Sequence, residues 1–250
     1  MKGFLLIALL IVIVSSCSGP APIKNIEVDK NILATQIVAT ITAEALIAQP
    51  TTLPLPTETI IQPTATQAPD PIVLDGAGDS VVDFENPFTI SIVHIIGNSN
   101  GSHFSVVNYD ANGEYLDLLV NTSDPYEGFG PIDFYDNSHT TRFEVNATGE
   151  WKIEVLPVST VRALSIPGII EGLGDEVVQL VGAKPDKAYI LGNQTGSNHF
   201  SIVSSSTKGD YLDLLVNTSD PYEGTVLIDG ESTYLEINSS DKWSIDIKGK

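Results

Sequence analysis

The sequence predicts an all-β protein: two tandem antiparallel β-sandwich modules, jelly-roll or immunoglobulin-like in topology, behind an N-terminal signal, a short helix and a Pro/Thr-rich stalk. Three observations predict it. The fourteen letters YLDLLVNTSDPYEG stand at residues 115–128 and again at 211–224. The likeness between the two regions runs well beyond those letters, and inside each copy apolar residues alternate with polar ones.

The wider alignment pairs DGAGDSVVDF with EGLGDEVVQL, HIIGNSNGSHFSVV with YILGNQTGSNHFSIV, and TTRFEVNATGEWKIEVLP with STYLEINSSDKWSIDIKG. Self-similarity of this extent marks a repeated folding unit. Each copy opens on a G-x-G-D turn, residues 76–79 or 172–175, and closes on a strand led by Trp151 or Trp243. In WKIEV, Trp151, Ile153 and Val155 point one way while Lys152 and Glu154 point the other; WSIDI, RFEV and YLEI repeat the pattern. Short period-two strands divided by Gly, Asn, Asp and Ser turns are the signature of an antiparallel sandwich. The modules are therefore placed at 72–157 and 168–250. Only VSTVRALSIP joins them, short enough for the two to share an interface.

Upstream, the chain begins with Met1 and Lys2, an apolar run over residues 4–14, and small residues before Cys17. At about 1.5 Å per helical residue that run covers roughly 17 Å, well short of a bilayer core of about 30 Å, so it reads as a signal h-region. Val14, Ser15, Ser16 and Cys17 resemble the lipobox of bacterial lipoproteins, with Val where Leu is commoner. The resemblance implies removal of residues 1–16, diacylation of Cys17, and a protein held on the cell membrane by lipid and facing the extracellular or periplasmic side. Each buried CH₂ of such chains contributes about 0.8 kcal/mol. The competing reading is an ordinary secretory peptide with a stray Cys. Within the membrane-proximal segment 17–49, Leu33, Ile37, Ile41 and Ala45 recur every fourth residue behind Asp29, which predicts a helix over about 30–48. Residues 50–71 carry six Pro and six Thr. Proline fixes φ and removes a donor, so this linker reads as an extended stalk on the order of 60 to 70 Å long.

Twelve basic side chains against 32 acidic ones give a net charge of −20. Losing Lys2 with the signal makes the remainder more negative by one. Such a chain is repelled by nucleic acid and by anionic head groups, which excludes polyanion binding. Cys17 is the only cysteine, so no intrachain disulfide forms and stability must come from apolar cores.

Several motifs could carry chemistry. The stretch NYDANGEYLD resembles the start of a calcium loop at Asp110, yet it lacks the closing bidentate Glu, and its twin SSSTKGDYLD loses the acids; a hairpin turn with left-handed Gly explains both. The acid of the G-x-G-D turn recurs as Asp79 and Asp175. Standard turn chemistry accounts for it, and a structural Ca²⁺ shared with another acidic loop is the alternative. His103 and His199 are equivalent, each just before Phe-Ser, whereas His94 and His139 have no twin in the alignment; a half-buried His bonded to a loop carbonyl is the bland account. With neither C-x-x-C, H-E-x-x-H nor G-x-S-x-G present, the sequence predicts no enzyme.

In the duplicated segment, strict alternation puts Leu116, Leu118 and Val120 on one face and Tyr115, Asp117 and Leu119 on the other. Asp117, and likewise Asp213, would then sit among apolar neighbours and need backbone amides or a cation, since a bare buried carboxylate costs several kcal/mol. These two complete the metal candidates with Asp79 and Asp175. The structural reading makes the acids turn anchors and packs Tyr126 and Tyr222 as corners. The functional reading exposes Tyr126 with Glu127, and Tyr222 with Glu223, to a carbohydrate or a surface protein.

The strands YLDLLV and WKIEV or WSIDI resemble the small jelly-roll accessory domains of secreted bacterial proteins, of the pre-peptidase C-terminal type. The resemblance implies binding or stabilising modules without catalysis. NTSDPYEG and the absence of an attached peptidase depart from that pattern. The expectation is a lipid-anchored surface protein displaying two binding or spacer modules; an accessory or inhibitor-like partner of a separate hydrolase, and a cryptic hydrolase, are the alternatives.

Overall fold

A computed structural model describes residues 69–250 except 136, 137 and 197, and the signal, Cys17, the helix and most of the stalk lie outside it. The described residues all fall within one compact unit.

The first copy supplies β1 (Ile72–Ala77), β2 (Ser80–Asp83), β3 (Ser91–Gly97), β4 (Phe104–Tyr109), β5 (Tyr115–Thr122), β6 (Tyr126–Ile132), β7 (Arg142–Asn146) and β8 (Glu150–Pro157). They pair as two sheets, β1-β8-β3-β6 and β2-β7-β4-β5. That order is the eight-stranded jelly roll, which decides between the two topologies left open by the sequence. Inward residues of both sheets, among them Phe104, Phe143, Trp151 and Ile153, make one apolar core.

The second copy repeats the arrangement. Its strands are β10 (Gly168–Leu173), β11 (Glu176–Gly182), β12 (Pro185–Gly192), β13 (Phe200–Ser205), β14 (Tyr211–Thr218), β15 (Tyr222–Leu227), β16 (Tyr234–Ser239) and β17 (Lys242–Gly249). They form the sheets β10-β17-β12-β15 and β14-β13-β16-β11-β9 around a second core. The fifth strand of the latter, β9 (Arg162–Ile166), comes from the stretch read as a bare connector. It runs parallel to β11 from Val178↔Arg162 to Gly182↔Ile166, and its inward Leu164 and Ile166 join the second core. Two buried residues in five are too weak a pattern to reveal a strand by periodicity alone.

A third apolar cluster joins the modules. Ile92, Leu156 and Phe129 on the outer face of the first sheet, with Phe134 and Tyr135 just beyond β6, pack on Val177 and Tyr234 of the five-stranded sheet. Phe134 meets Tyr234 edge-on with ring centroids 5.3 Å apart.

Strict alternation fails in the duplicated strands. Val106 pairs with Val120 but Val107 with Leu118, which leaves Leu119 as an extra residue; Asn108 pairs with Asp117 and Tyr109 with Tyr115, which leaves Leu116 extra. β14 repeats both shifts at Leu215 and Leu212. A bulge reverses the facing of the residues beyond it. Leu119 therefore packs on the core and Leu118 turns outward, while Tyr115, Asp117, Tyr211 and Asp213 are all exposed. The expectation of an acid embedded among core residues is corrected: Asp117 stands at the surface and accepts the N–H of Leu118 at 2.7 Å.

Candidate functional site between the modules

Each G-x-G-D turn is clasped by the Trp strand of its own module. In β1 and β8 Gly76 lies directly opposite Trp151, and in β10 and β17 Gly172 lies opposite Trp243. The indole N–H of Trp151 donates to the Gly78 carbonyl at 3.1 Å, and that of Trp243 to Gly174 at 2.9 Å. Those two glycines have φ of +72° and +79°, the left-handed region that costs an L side chain about 1–2 kcal/mol. The turn acid completes the clasp: Asp79 accepts the N–H of Ala147 at 3.0 Å, and Asp175 that of Ser239 at 2.7 Å.

In the second module the clasp also serves the junction. Tyr126, from the duplicated segment of the first copy, donates its hydroxyl to the other oxygen of Asp175 at 2.8 Å. Next to it the N–H of Phe129 donates to the Asp175 carbonyl at 2.9 Å. Burial raises the Asp175 carboxyl above the usual carboxylate range, and burial with the nearby Asp175 charge pushes the Tyr126 hydroxyl well up. Tyr222 has no such role; half-buried, it packs at a ring distance of 6.3 Å from Phe200, as Tyr126 does at 6.4 Å from Phe104.

The acids beside these tyrosines are tethered. Glu127 meets Nε2 of His94 at 3.3 Å, while Nδ1 of His94 faces Glu154 at 2.8 Å and its ring stacks on Phe129 at 4.2 Å. Glu223 is held the same way by the hydroxyl of Tyr189. His94 thus has a structural twin after all, Tyr189, which a search for repeated histidines cannot find.

Where the two copies meet they enclose a cleft of about 880 Å³. Its first wall is most of residues 119–129, the larger part of the duplicated segment together with Phe129. Its second wall is the turn 172–176 with residues 198–199 and 238–240, and Arg162 of β9 stands at its side. Arg162 is engaged with Glu176 at 3.1 Å and with the Glu171 carbonyl, which leaves the cleft electronegative around Asp124, Glu127 and Asp175.

Of the residues singled out in the sequence, Tyr126, Glu127, Asp175 and His199 meet in this cleft. Tyr222, Glu223, His103, Asp79 and Asp213 lie elsewhere. His103 and His199 are exposed, not half-buried as the sequence implied. The calcium-like loop is a side-chain-capped turn: Asp110 accepts the N–H groups of Asn112 and Glu114, both at 2.8 Å, and in the second copy Ser206 accepts those of Lys208 and Asp210. Among the described residues no group of three or more His, Cys, Asp or Glu side chains is placed to hold a metal ion. A further buried carboxylate, Asp133, accepts both donors of Thr140 and the amide of Asn86, and so ties the loop after β6 into the first module.

Fold and site together define a tandem jelly-roll protein with an inter-module cleft. No protein-family model matches the sequence, and neither does any curated protein. Solved structures align with the chain at low similarity, three of them as follows. The regulatory subunit of a cAMP-independent protein kinase A from Trypanosoma cruzi, bound to guanosine, is 9% identical and aligns over 71% of this chain and 72% of its own, with a TM-score of 0.21. Its counterpart from Trypanosoma brucei is 10% identical over 71% and 74%, with a TM-score of 0.20. The protein YhaK from Escherichia coli is 10% identical over 71% and 84%, with a TM-score of 0.22.

Proposed function

We propose that this protein is a lipid-anchored, stalked surface lipoprotein whose paired jelly-roll modules bind an extracellular ligand without transforming it. The observation that carries the reading is the junction: the hydroxyl of Tyr126 on Asp175 fixes two modules into one body and leaves a cleft between them. The ionisable side chains of that cleft are largely committed. Asp175 is shared by Tyr126 and Ser239, Glu176 faces Arg162, and Glu127 faces His94. Groups held this way present fixed donors and acceptors to a bound ligand. The lipobox-like Cys17 and the proline stalk support display away from a membrane.

Cys17→Ala is expected to move the protein from the membrane fraction into the medium. Membrane retention with unchanged lipid labelling overturns the anchor. In a pull-down from envelope material, the detergent-solubilised full chain is expected to capture a ligand that Asp124→Ala/His199→Ala captures at least tenfold less. Equal capture by the variant removes the cleft from the reading.

A further inference from the structure

The duplicated segment is mostly surface. Of its fourteen residues in each copy, folding uses chiefly the inward Val120 or Val216, the core-facing Leu119 or Leu215, the tyrosine corner and the close-packed Gly128 or Gly224. Buried equivalents elsewhere differ between the copies, Val106 against Ile202 and Phe143 against Leu235, although both positions lie in cores. Exposed positions of this segment do not differ: Tyr115 and Tyr211 are 60% and 57% accessible, and Asp117 and Asp213 follow two residues on. Packing explains why a buried valine is kept. It gives no account of a tyrosine and an aspartate kept facing solvent at twin sites.

The twin sites converge on the module junction. Tyr109 lies edge-on to Tyr115 at 6.3 Å. Beyond Asp117 comes the half-buried Tyr135, within electrostatic reach of both Asp117 and Tyr211. Its hydroxyl donates to Glu236 of the second module at 3.1 Å, which fixes the ring across the boundary. The turn before Tyr211 lies against Phe134, the neighbour of Tyr135, at Gly209, so exposed tyrosines and carboxylates of both copies flank the junction.

We infer that the exposed pairs Tyr115 with Asp117 and Tyr211 with Asp213, set on either side of Tyr135, form a binding surface for a neutral polysaccharide chain. Tyrosine offers a flat apolar face at low entropic cost, suited to the C–H face of a sugar ring, and an ionised carboxylate accepts strong hydrogen bonds from hydroxyls. The net charge of −20 turns away anionic polymers. An added peptide strand is disfavoured although β5 and β14 are sheet edges: two bulges interrupt each strand, and the Asp117 carboxylate already occupies the Leu118 N–H. Two such sites in one compact unit favour a polymer long enough to engage both.

The inference rests on the binding reading above but uses a different surface from the cleft. The test is retention of the detergent-solubilised full chain on cellulose, chitin and an insoluble neutral α-glucan, with heparin-agarose as the anionic comparison. Retention is expected on at least one neutral polymer and not on heparin. Tyr115→Ala or Tyr211→Ala alone is expected to weaken it on the order of tenfold, and the pair to abolish it, through loss of linked binding. Tyr115→Phe/Tyr211→Phe keeps the ring faces and is expected to keep most of the retention, while circular dichroism confirms that each variant folds. No retention on any of the three neutral polymers overturns the inference and leaves the cleft reading to its own pull-down. Full retention by the double alanine variant overturns it too, and if Asp124→Ala/His199→Ala then loses retention, the sugar is assigned to the cleft.

Discussion

Trp243→Ala is expected to cost about 3–5 kcal/mol, the range for emptying a buried aromatic site. Trp243 is 3% accessible. The substitution also orphans the Gly174 carbonyl that receives the indole N–H at 2.9 Å, and it strips the cover from Gly172. In a body of this size each kcal/mol lowers the melting temperature by about 2–4 °C, so a fall on the order of 10 °C is expected. The reverse substitution tests the same clasp from the other side. A Cβ at Gly76 would stand 2.5 Å from the Trp151 ring, and one at Gly172 closer still to Trp243, so Gly172→Ala overpacks and is expected to cost about 1–3 kcal/mol. The chain has two tryptophans, so fluorescence of the remaining Trp151 during urea unfolding reports the first module while circular dichroism reports both. A cost below about 1 kcal/mol for Trp243→Ala would show that the clasp does not hold the turn.

Both halves of that clasp were legible as G-x-G-D and as a closing Trp strand; their contact was not, because nothing in either motif names the other. Period-two patterning found the strands of WKIEV and RFEV, where the ladder is regular. It misread YLDLLV, where two bulges per strand reverse the facing, and it missed RALSI, whose pairing is parallel and at an edge. The module junction was hidden for a different reason. Most of its apolar contacts come from positions where the copies disagree: Ile92, Phe129, Phe134 and Tyr135 of the first copy correspond to Lys187, Thr225, Gly230 and Glu231 of the second, while Val177 matches Val81. Attention drawn to identical letters passes over them. A tandem pair docks through one face of each module, so the copy that turns this face inward gains apolar residues there, and most twin positions, facing water, stay polar, with the exposed Val81 the exception. Differences between repeats are the signal that points to such a junction.

Tyr126→Phe is expected to lower stability by about 1.5–3 kcal/mol, the worth of a hydrogen bond to an ionised partner, because it leaves the Asp175 carboxylate half-satisfied in a desolvated place. Asp175→Asn is expected to cost less, since an amide still accepts the Ser239 N–H and loses the penalty of a buried charge; Asp175→Ala orphans both donors and is expected to cost more. The junction acids also set a pH dependence. Burial raises both Asp175 and Glu236; Glu236 also accepts the Tyr135 hydroxyl and feels the charges of Asp117 and Asp175. A carboxyl whose folded value lies above its unfolded one binds its proton more tightly in the folded state. Its stabilising contribution is complete below the unfolded value of about 4 and is lost as pH rises through the folded value. Acidification from neutrality toward pH 4.5 is therefore expected to raise the melting temperature, helped by the fall in net negative charge. Asp175→Asn/Glu236→Gln is expected to flatten that rise, since neither replacement titrates. Were the double variant to keep the slope of the parent protein, Asp175 and Glu236 would not be its source, and the rise would come from the other desolvated carboxyls, Asp133 and Glu176, and from general relief of charge repulsion.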